Sequence, residues 1–183
     1  MSEREHLHIA LNEILQRAID VTDADFGNIQ LVFPRDGSLR IAVHHGFDTR
    51  FLTFFRVVKH DLSACAAALQ QSKRVVVRDV RRSRLFTEAA RRELLKAGVK
   101  SVQSTPVCTP EGKVLAMVST HFRARRVPTR GQLRRVDVLA RDAADVIESA
   151  GTPGRVDVKK TIEELHDSTV AKSRLVRARA KAS

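Results

Sequence analysis

Two strand–turn–strand segments place the strongest constraint on what this chain can fold into. In the first, a strand predicted over 27–33 enters the turn Pro34-Arg-Asp-Gly37, and alternating apolar residues follow it. In the second, Thr109-Pro-Glu-Gly112 separates strands predicted over 99–107 and 114–122. Proline presets the backbone angle of a turn and glycine accepts a positive φ, so both tetrapeptides favour chain reversal. Each segment therefore predicts an antiparallel hairpin.

Amphipathic helices are predicted before, between and after the hairpins. Apolar residues recur at spacings of four, three and four along a first helix, 5–20, which is the seam of a helix that packs on another helix. A capping box, Thr129 followed by Gln132, opens a last helix with a similar seam. The shorter elements between the hairpins are an aromatic helix over 47–58, a helix capped by Ser63, a valine strand over 75–77 and a helix over 87–97. This order predicts an α+β or mixed α/β fold around an antiparallel sheet.

Charge and cysteine content exclude several functional classes. The 183 residues carry 33 Lys+Arg against 21 Asp+Glu, a formal charge of +12, but the excess is mostly arginine scattered along the chain. We therefore do not expect nucleic acid as a partner. No apolar run reaches the roughly 20 residues of a membrane span, and the N-terminus lacks an apolar signal core. Two cysteines, Cys65 and Cys108, are too few for a disulfide framework, so we expect a cytoplasmic protein.

A change in composition near residue 150 divides the chain in two. All the predicted strands and the helices around them lie within residues 1–150. Gly151-Thr-Pro-Gly154 then breaks the last helix. Residues 168–183 carry five basic residues and no acidic ones. We expect residues 151–183 to form a linker followed by a basic tail that is partly helical or disordered.

Six short stretches, in this order along the chain, carry a resemblance to a known family. They are Ala24-Asp-Phe-Gly-Asn-Ile-Gln-Leu31, His45-Gly-Phe47, Ser63-Ala-Cys65 with Ala68-Leu69, Arg74-Val-Val-Val-Arg-Asp-Val80, Val102-Gln-Ser-Thr-Pro106 and Met117-Val-Ser-Thr-His-Phe122. Over residues 8–149 the chain resembles a GAF domain, in particular the bacterial kind that stands alone or is attached to sensor histidine kinases. The resemblance implies an α+β fold with a five- or six-stranded antiparallel sheet, helices on both faces, and a small-molecule pocket between the sheet and its covering helices. It implies no particular ligand or cofactor.

Domains of this family usually report to an output module. The residues outside the stretch that resembles this family contain no kinase phosphoacceptor region, ATP-binding loop or helix-turn-helix motif. We therefore expect a non-enzymatic small-molecule sensor that acts in trans on a signalling partner or through a homodimer. The first and last helices share a similar apolar seam, so they could pack together behind the sheet or pair with the same helices of a second subunit, and we favour a symmetric dimer. Two alternatives are a thiol-dependent oxidoreductase and a ligand-free interaction module whose basic tail binds an acidic partner.

Polar side chains on two otherwise apolar strands mark the candidate ligand site. Gln103-Ser-Thr105 lies on one strand and Ser119-Thr-His121 on its expected neighbour. Buried strands rarely carry so many polar groups unless these meet a ligand, water or one another. The candidate wall residues are Phe51, Gln103, Thr105, Ser119 and His121. Hydrogen bonds within the protein explain the polar residues equally well without a ligand, and core packing explains the phenylalanine.

Cys65 is the sixth candidate, at the second position of the helix that Ser63 caps. Backbone N–H groups there are expected to stabilise a thiolate and lower the pKa of the thiol. The resemblance supplies a precedent in GAF-fold free methionine-(R)-sulfoxide reductases, which carry a cysteine in a similar motif. Those enzymes also need a catalytic cysteine after the stretch that matches Val80–Phe86, where this chain has Arg81-Arg-Ser-Arg-Leu85. The alternative for this cysteine is a small buried residue that packs the helix on the sheet.

We expect neither a metal site nor a specific anion site. His44 and His45 are consecutive on a strand and point to opposite faces, so they cannot bind one ion together. No carboxylate or cysteine lies beside them at a metal-ligand spacing. The arginines within 78–84 and 123–126 are expected to be solvated loop charge.

Overall fold

The computed structural model describes residues 3–59 and 63–150 of the chain. The helices are α1 (Glu3–Thr22), α2 (Thr49–Phe54), α3 (Ala64–Gln71), α4 (Glu88–Lys96) and α5 (Arg130–Ala150). The strands are β1 (Phe26–Val32), β2 (Leu39–His45), β3 (Val57–Val58), β4 (Val75–Val77), β5 (Ser101–Cys108) and β6 (Val114–Phe122). None of these helices is both long and apolar enough to cross a membrane. The linker and tail expected over 151–183 lie outside the described residues.

The six strands form one antiparallel sheet in the order β3-β2-β1-β6-β5-β4. Both predicted hairpins are confirmed, because β1 pairs with β2 and β5 pairs with β6. The hairpins join at the centre of the sheet, where β1 pairs with β6 and Asn28 lies opposite Ser119. The predicted α+β architecture, an antiparallel sheet with helices on both faces, is confirmed.

One face of the sheet is covered by α1 and α5, which pack side by side. Their seams are buried, with Leu11 of α1 and both Val136 and Ala143 of α5 fully inaccessible to solvent. Gly27 of β1 allows the close approach of α1, since a Cβ there would lie 2.8 Å from Leu15 Cδ1. The shared seam thus joins two helices of one chain. Because α1 and α5 of one chain bury this seam against each other, the seam no longer supports the prediction of a homodimer.

The opposite face is covered by α2, α3 and α4, which we call the α2–α4 layer. The helix predicted over 47–58 is shorter in the structure, because α2 ends at Phe54 and Val57–Val58 form β3 against the start of β2. Valine is stiff at χ1 and favours strands over helices, and here strand pairing prevails. Phe47 and Phe51 are buried in the core of this layer, as the packing interpretation predicts.

The predicted helix starts are confirmed by hydrogen bonds at their caps. Ser63 Oγ accepts from the backbone N–H of Ala66 at 3.1 Å, which starts α3 one residue before Cys65. In the capping box, the Gln132 backbone N–H donates to Thr129 Oγ1 at 3.2 Å, and the Thr129 N–H donates to Gln132 Oε1 at 2.8 Å. These caps fix where α3 and α5 begin relative to the sheet.

Candidate functional site

Strand alternation divides the polar residues of β5 and β6 between the two faces of the sheet. Gln103 lies opposite Thr120, and Ser104 lies opposite Ser119. Successive side chains of a strand point to opposite faces. Gln103 and Thr120 therefore face α1 and α5, whereas Ser104, Ser119 and His121 face the α2–α4 layer.

Gln103 and Thr105 belong to a hydrogen-bond network beneath α5. Thr105 Oγ1 donates to Gln103 Oε1 at 2.7 Å and accepts from Arg74 Nε at 2.8 Å. Gln103 Nε2 donates to Thr120 Oγ1 at 3.1 Å, and Arg74 continues the network to Asp137 of α5. The predicted position of Gln103 and Thr105 in the pocket wall is therefore corrected. Alternation turns both side chains away from the α2–α4 layer, and hydrogen bonds within the protein satisfy them.

A cavity of about 30 Å³ lies between the sheet and the α2–α4 layer. Three predicted wall residues, Phe51, Cys65 and His121, line it, and Asn28 and Gln30 of β1 line it as well. A cavity of this volume admits one or two water molecules. It is far smaller than the roughly 300 Å³ at which pockets for drug-sized ligands begin. The site as described is a small void with polar groups on the sheet side and aromatic rings on the helix side.

Three buried side chains on the sheet side of the cavity each have a polar atom without a hydrogen-bond partner. These atoms are Asn28 Oδ1, Gln30 Oε1 and His121 Nδ1, and no other group within the described residues bonds to them. The three residues are only 2–3% exposed. A buried polar group left unsatisfied costs about 1–3 kcal/mol. Native structures rarely carry such atoms in a cluster, so this cluster indicates a place that water or a ligand completes.

His121 is held as a neutral imidazole. Burial lowers the pKa of its side chain to about 3, because the charged form loses its hydration. The ring packs edge-on against Phe47, with centroids 5.0 Å apart, and against Phe51, with centroids 6.3 Å apart. At neutral pH this histidine can therefore donate or accept hydrogen bonds in the cavity but does not act as a cation.

Cys65 does not carry the low pKa that its helix position predicts. Its sulfur lies 3.4 Å from the hydroxyls of both Ser104 and Ser119, which are themselves 2.8 Å apart and fully buried. Burial raises the pKa of the Cys65 thiol, and the two serine hydrogen bonds only partly oppose that rise. The prediction of a stabilised thiolate is therefore wrong. Ser119, which was predicted as a wall residue, faces the α2–α4 layer but is not among the residues that line the cavity, and its hydroxyl bonds to Cys65 and Ser104.

Sequence reasoning missed two buried amides that line the cavity, Asn28 and Gln30. They alternate with Ile29 and Leu31 on β1, a pattern that resembles a strand with one solvated face. In the structure β1 is central, both faces are covered, and the two amides are buried. The signal that points to them is the presence of polar residues on a strand that lies between its own hairpin partner and a strand of the other hairpin, with helices on both faces.

Known proteins are similar to this chain in fold. Comparison with curated proteins found no matching sequence. Among solved structures, the GAF domain of a phosphoenolpyruvate-protein phosphotransferase from Acinetobacter is 15% identical, with a TM-score of 0.68 over 82% of this chain and 87% of that chain. A domain assigned to a two-component sensor histidine kinase from Sinorhizobium meliloti 1021 is 13% identical, with a TM-score of 0.66 over 78% and 90%.

An enzyme of this fold is also similar. The type II free methionine-R-sulfoxide reductase from Thermoplasma acidophilum is 12% identical, with a TM-score of 0.67 over 81% of this chain and 96% of that chain. At such identities the structural likeness concerns the fold alone. The family described as GAF domain matches residues 5–148, which include the whole sheet and nearly all of α1 and α5. The chain belongs to the GAF domain family.

Proposed function

We propose that this protein is a non-enzymatic sensor that binds a small molecule in the cavity beneath the α2–α4 layer. The observation that carries the proposal is the cluster of unpartnered polar atoms on Asn28, Gln30 and His121 at one small cavity. Keeping such groups buried and unsatisfied lowers stability, and a bound ligand that completes their hydrogen bonds recovers that loss. Phe51 and Cys65 complete the proposed site.

The proposed route of transmission runs from α3 to α5. α3 covers the cavity with Cys65, and its chain continues after Gln71 into Arg74. Arg74 donates to the carbonyl of Leu133 at 3.0 Å and pairs with Asp137, both on α5. A ligand that moves α3 thus changes the position of a side chain anchored on the last helix. The ligand shifts this equilibrium only if it binds one arrangement of α3 better than the other.

An oxidoreductase is the weaker proposal for this chain. The raised pKa of the Cys65 thiol disfavours the thiolate that such chemistry needs. The segment Arg81-Arg-Ser-Arg-Leu85 supplies no second cysteine. The Thermoplasma acidophilum reductase shares the fold, and nothing in the residues of the cavity extends that likeness to its chemistry. Reduction of methionine sulfoxide that is lost in Cys65→Ser, with the fold intact, would reverse this preference.

Thermal melting in the presence of small molecules tests the sensor proposal. The probe is the fraction below about 1 kDa of a bacterial cell extract, added to the full chain. Val102→Ile adds one methyl group beside the cavity, and Val76→Ile adds the same group to β4 on the opposite face of the sheet. A ligand present at 100 times its Kd stabilises the folded state by about 2.7 kcal/mol. We expect a rise in Tm for the wild type and Val76→Ile but not for Val102→Ile.

Two results would contradict the sensor proposal. Equal rises in Tm for the wild type and Val102→Ile would mean that the extract component binds elsewhere. Unchanged melting of all three proteins would favour the ligand-free interaction module. That module would bind an acidic partner through residues 151–183, and salt would weaken its binding.

We also propose that the sensor acts in the cytoplasm, through a homodimer or a signalling protein partner. Free cysteines at positions 65 and 108 suit a reducing compartment. Because the helix seams are used within one chain, a dimer would have to use outward residues such as Ile9 of α1, 45% exposed, and Val138 of α5, 44% exposed. Sedimentation of the wild type shows whether a homodimer forms. A dimer that uses this surface would dissociate in Val138→Asp.

A further inference from the structure

We propose that the cavity selects an uncharged ligand that presents at least two hydrogen-bond donors from a flat, partly apolar body, a class that includes primary aromatic amides. The inference rests on the proposed function, because it names the chemistry of the ligand at that same site.

The charge of the ligand is limited by the walls of the cavity. None of the described residues that line it is an Asp, Glu, Lys or Arg. Burial keeps the two titratable groups at the cavity, His121 and Cys65, in their neutral forms at neutral pH. The described residues also contain no group of three or more His, Cys, Asp or Glu that could hold a metal ion. A charged ligand would lose its hydration here without meeting an opposite charge, which is costly in a buried site.

The hydrogen-bonding character of the ligand follows from the unpartnered atoms. Asn28 Oδ1 and Gln30 Oε1 are carbonyl oxygens, which only accept hydrogen bonds. They lie two residues apart on the same face of β1, a separation of about 7 Å along the strand. His121 Nδ1 accepts as well when the imidazole proton is on Nε2. A ligand that satisfies this wall must therefore bring N–H or O–H groups, whereas a carboxylate brings only acceptors.

The opposite wall sets the shape of the ligand. Phe51, Phe55 and Phe86 line the cavity on the helix side. These rings favour a ligand with a flat, apolar surface that can stack on them or pack edge-on against them. Since the cavity has a volume of only about 30 Å³, an aromatic ligand must move the α2–α4 layer away from the sheet. The strands are fixed by the antiparallel ladder, so the helices have to yield, and α3 leads to Arg74.

Two isosteric pairs of probes test the inference by NMR on the ¹⁵N-labelled full chain. Acetamide and acetate have nearly the same shape, as do benzamide and benzoate, but only the amides are uncharged and donate hydrogen bonds. We expect the amides, benzamide most strongly, to shift the side-chain amide signals of Asn28 and Gln30. At equal ionic strength and neutral pH, each carboxylate should bind at least tenfold more weakly than its amide.

Gln30→Met provides the matched variant, because it keeps the length of the side chain and removes the unpartnered carbonyl. We expect it to bind benzamide at least tenfold more weakly while its Tm is unchanged or higher than that of the wild type. If benzoate binds at the cavity as tightly as benzamide, the proposed class of uncharged donor ligands is wrong, although the proposed site is still correct. If none of the four probes shifts the signals of the cavity residues, the proposed site itself is wrong. Unchanged benzamide binding by Gln30→Met would refute the role of this carbonyl.

Discussion

Arg74, the residue before β4, pairs with Asp137 of α5 and so joins the segment after α3 to the helix on the opposite face of the sheet. The side chain of Arg74 is only 21% exposed, and it also donates to Thr105 Oγ1 and the Leu133 carbonyl. Such a partly buried arginine with three acceptors is held more firmly than a surface ion pair. The pair therefore connects the segment that follows α3 directly to α5.

Loss of this pair should lower the free energy of unfolding and remove the coupling between the segment after α3 and α5. We expect Arg74→Gln and Asp137→Asn each to lower the free energy of unfolding by about 1–2 kcal/mol. Their effects should be less than additive in the double variant, because both remove one interaction. Denaturant unfolding measures all three. Asp142→Asn is the control, since Asp142 pairs with Arg17 at an exposed site and should matter little. If the two single effects add in full in the double variant, Arg74 and Asp137 do not stabilise each other.

The buried histidine should make the fold sensitive to acid. The folded-state pKa of His121 is about 3, whereas its ordinary value is 6.5. Between these values the unfolded chain binds a proton that the folded chain does not, so stability rises with pH and is lost as pH falls through this window. One such group contributes up to about 1.4 kcal/mol per pH unit there. Urea unfolding at pH 7, 6, 5 and 4 should reveal this slope.

His121→Asn should flatten that pH dependence only in part. His44, whose pKa burial lowers to about 4, contributes with the same sign and remains in the variant. NMR titration provides the site-specific measurement, because the imidazole signals of His121 should not titrate between pH 8 and pH 5. A titration of His121 with a midpoint near 6.5 would show that the ring is hydrated and that its burial is misassigned.

Cys65 should be a slow nucleophile despite its place at a helix start. Burial raises the pKa of its thiol, so the thiolate fraction at pH 7 lies below that of an ordinary cysteine. In Cys108→Ser, which leaves one thiol, we expect reaction with an aromatic disulfide reagent to be at least tenfold slower than that of free cysteine. The rate should rise steeply with pH and recover in denaturant. Rapid labelling at pH 6 would contradict the structure and revive the thiol-enzyme alternative.

The contact between α1 and β1 at Gly27 should tolerate no side chain. A Cβ at Gly27 would lie 2.8 Å from Leu15 Cδ1 and 3.1 Å from two Ile19 carbons. We expect Gly27→Ala to lower the free energy of unfolding by about 1–3 kcal/mol through overpacking. Gly131→Ala, with only Thr129 Oγ1 at 3.9 Å from the added atom, should be neutral or stabilising. Thermal melts compare the two variants, and equal effects would count against this packing.

The hairpins and helix caps could be predicted because their signals are local. Proline and glycine in the turns at 34–37 and 109–112, and Ser63 at the start of α3, act on neighbouring residues only. The aromatic helix was predicted too long, since the pairing of Val57–Val58 with β2 depends on residues distant in the chain. The apolar seams of α1 and α5 were predicted correctly. A periodic pattern does not show whether α1 packs on α5 of the same chain or on a helix of a second copy.

The candidate site was predicted in part. Phe51, Cys65 and His121 do line the cavity, and Ser119 lies just behind it, bonded to Cys65. Gln103 and Thr105 were misplaced because the prediction put them on one wall with Ser119 and His121 of β6. The register pairs Gln103 with Thr120, and not with Ser119, so the two sets lie on opposite faces of the sheet. The pKa of Cys65 depends on desolvation by the surrounding residues as well as on the helix start, and only the complete fold determines that balance.

Native mass spectrometry of the full chain as purified shows most directly whether the cavity holds a small molecule. We expect a non-covalent adduct on the wild type that is lost on denaturation and retained by the control Val76→Ile. The adduct should be absent from Val102→Ile, which adds a methyl group beside the cavity. The contradicting result is an adduct that Val102→Ile retains in full, or wild-type protein that carries none even after incubation with the small-molecule fraction of a cell extract.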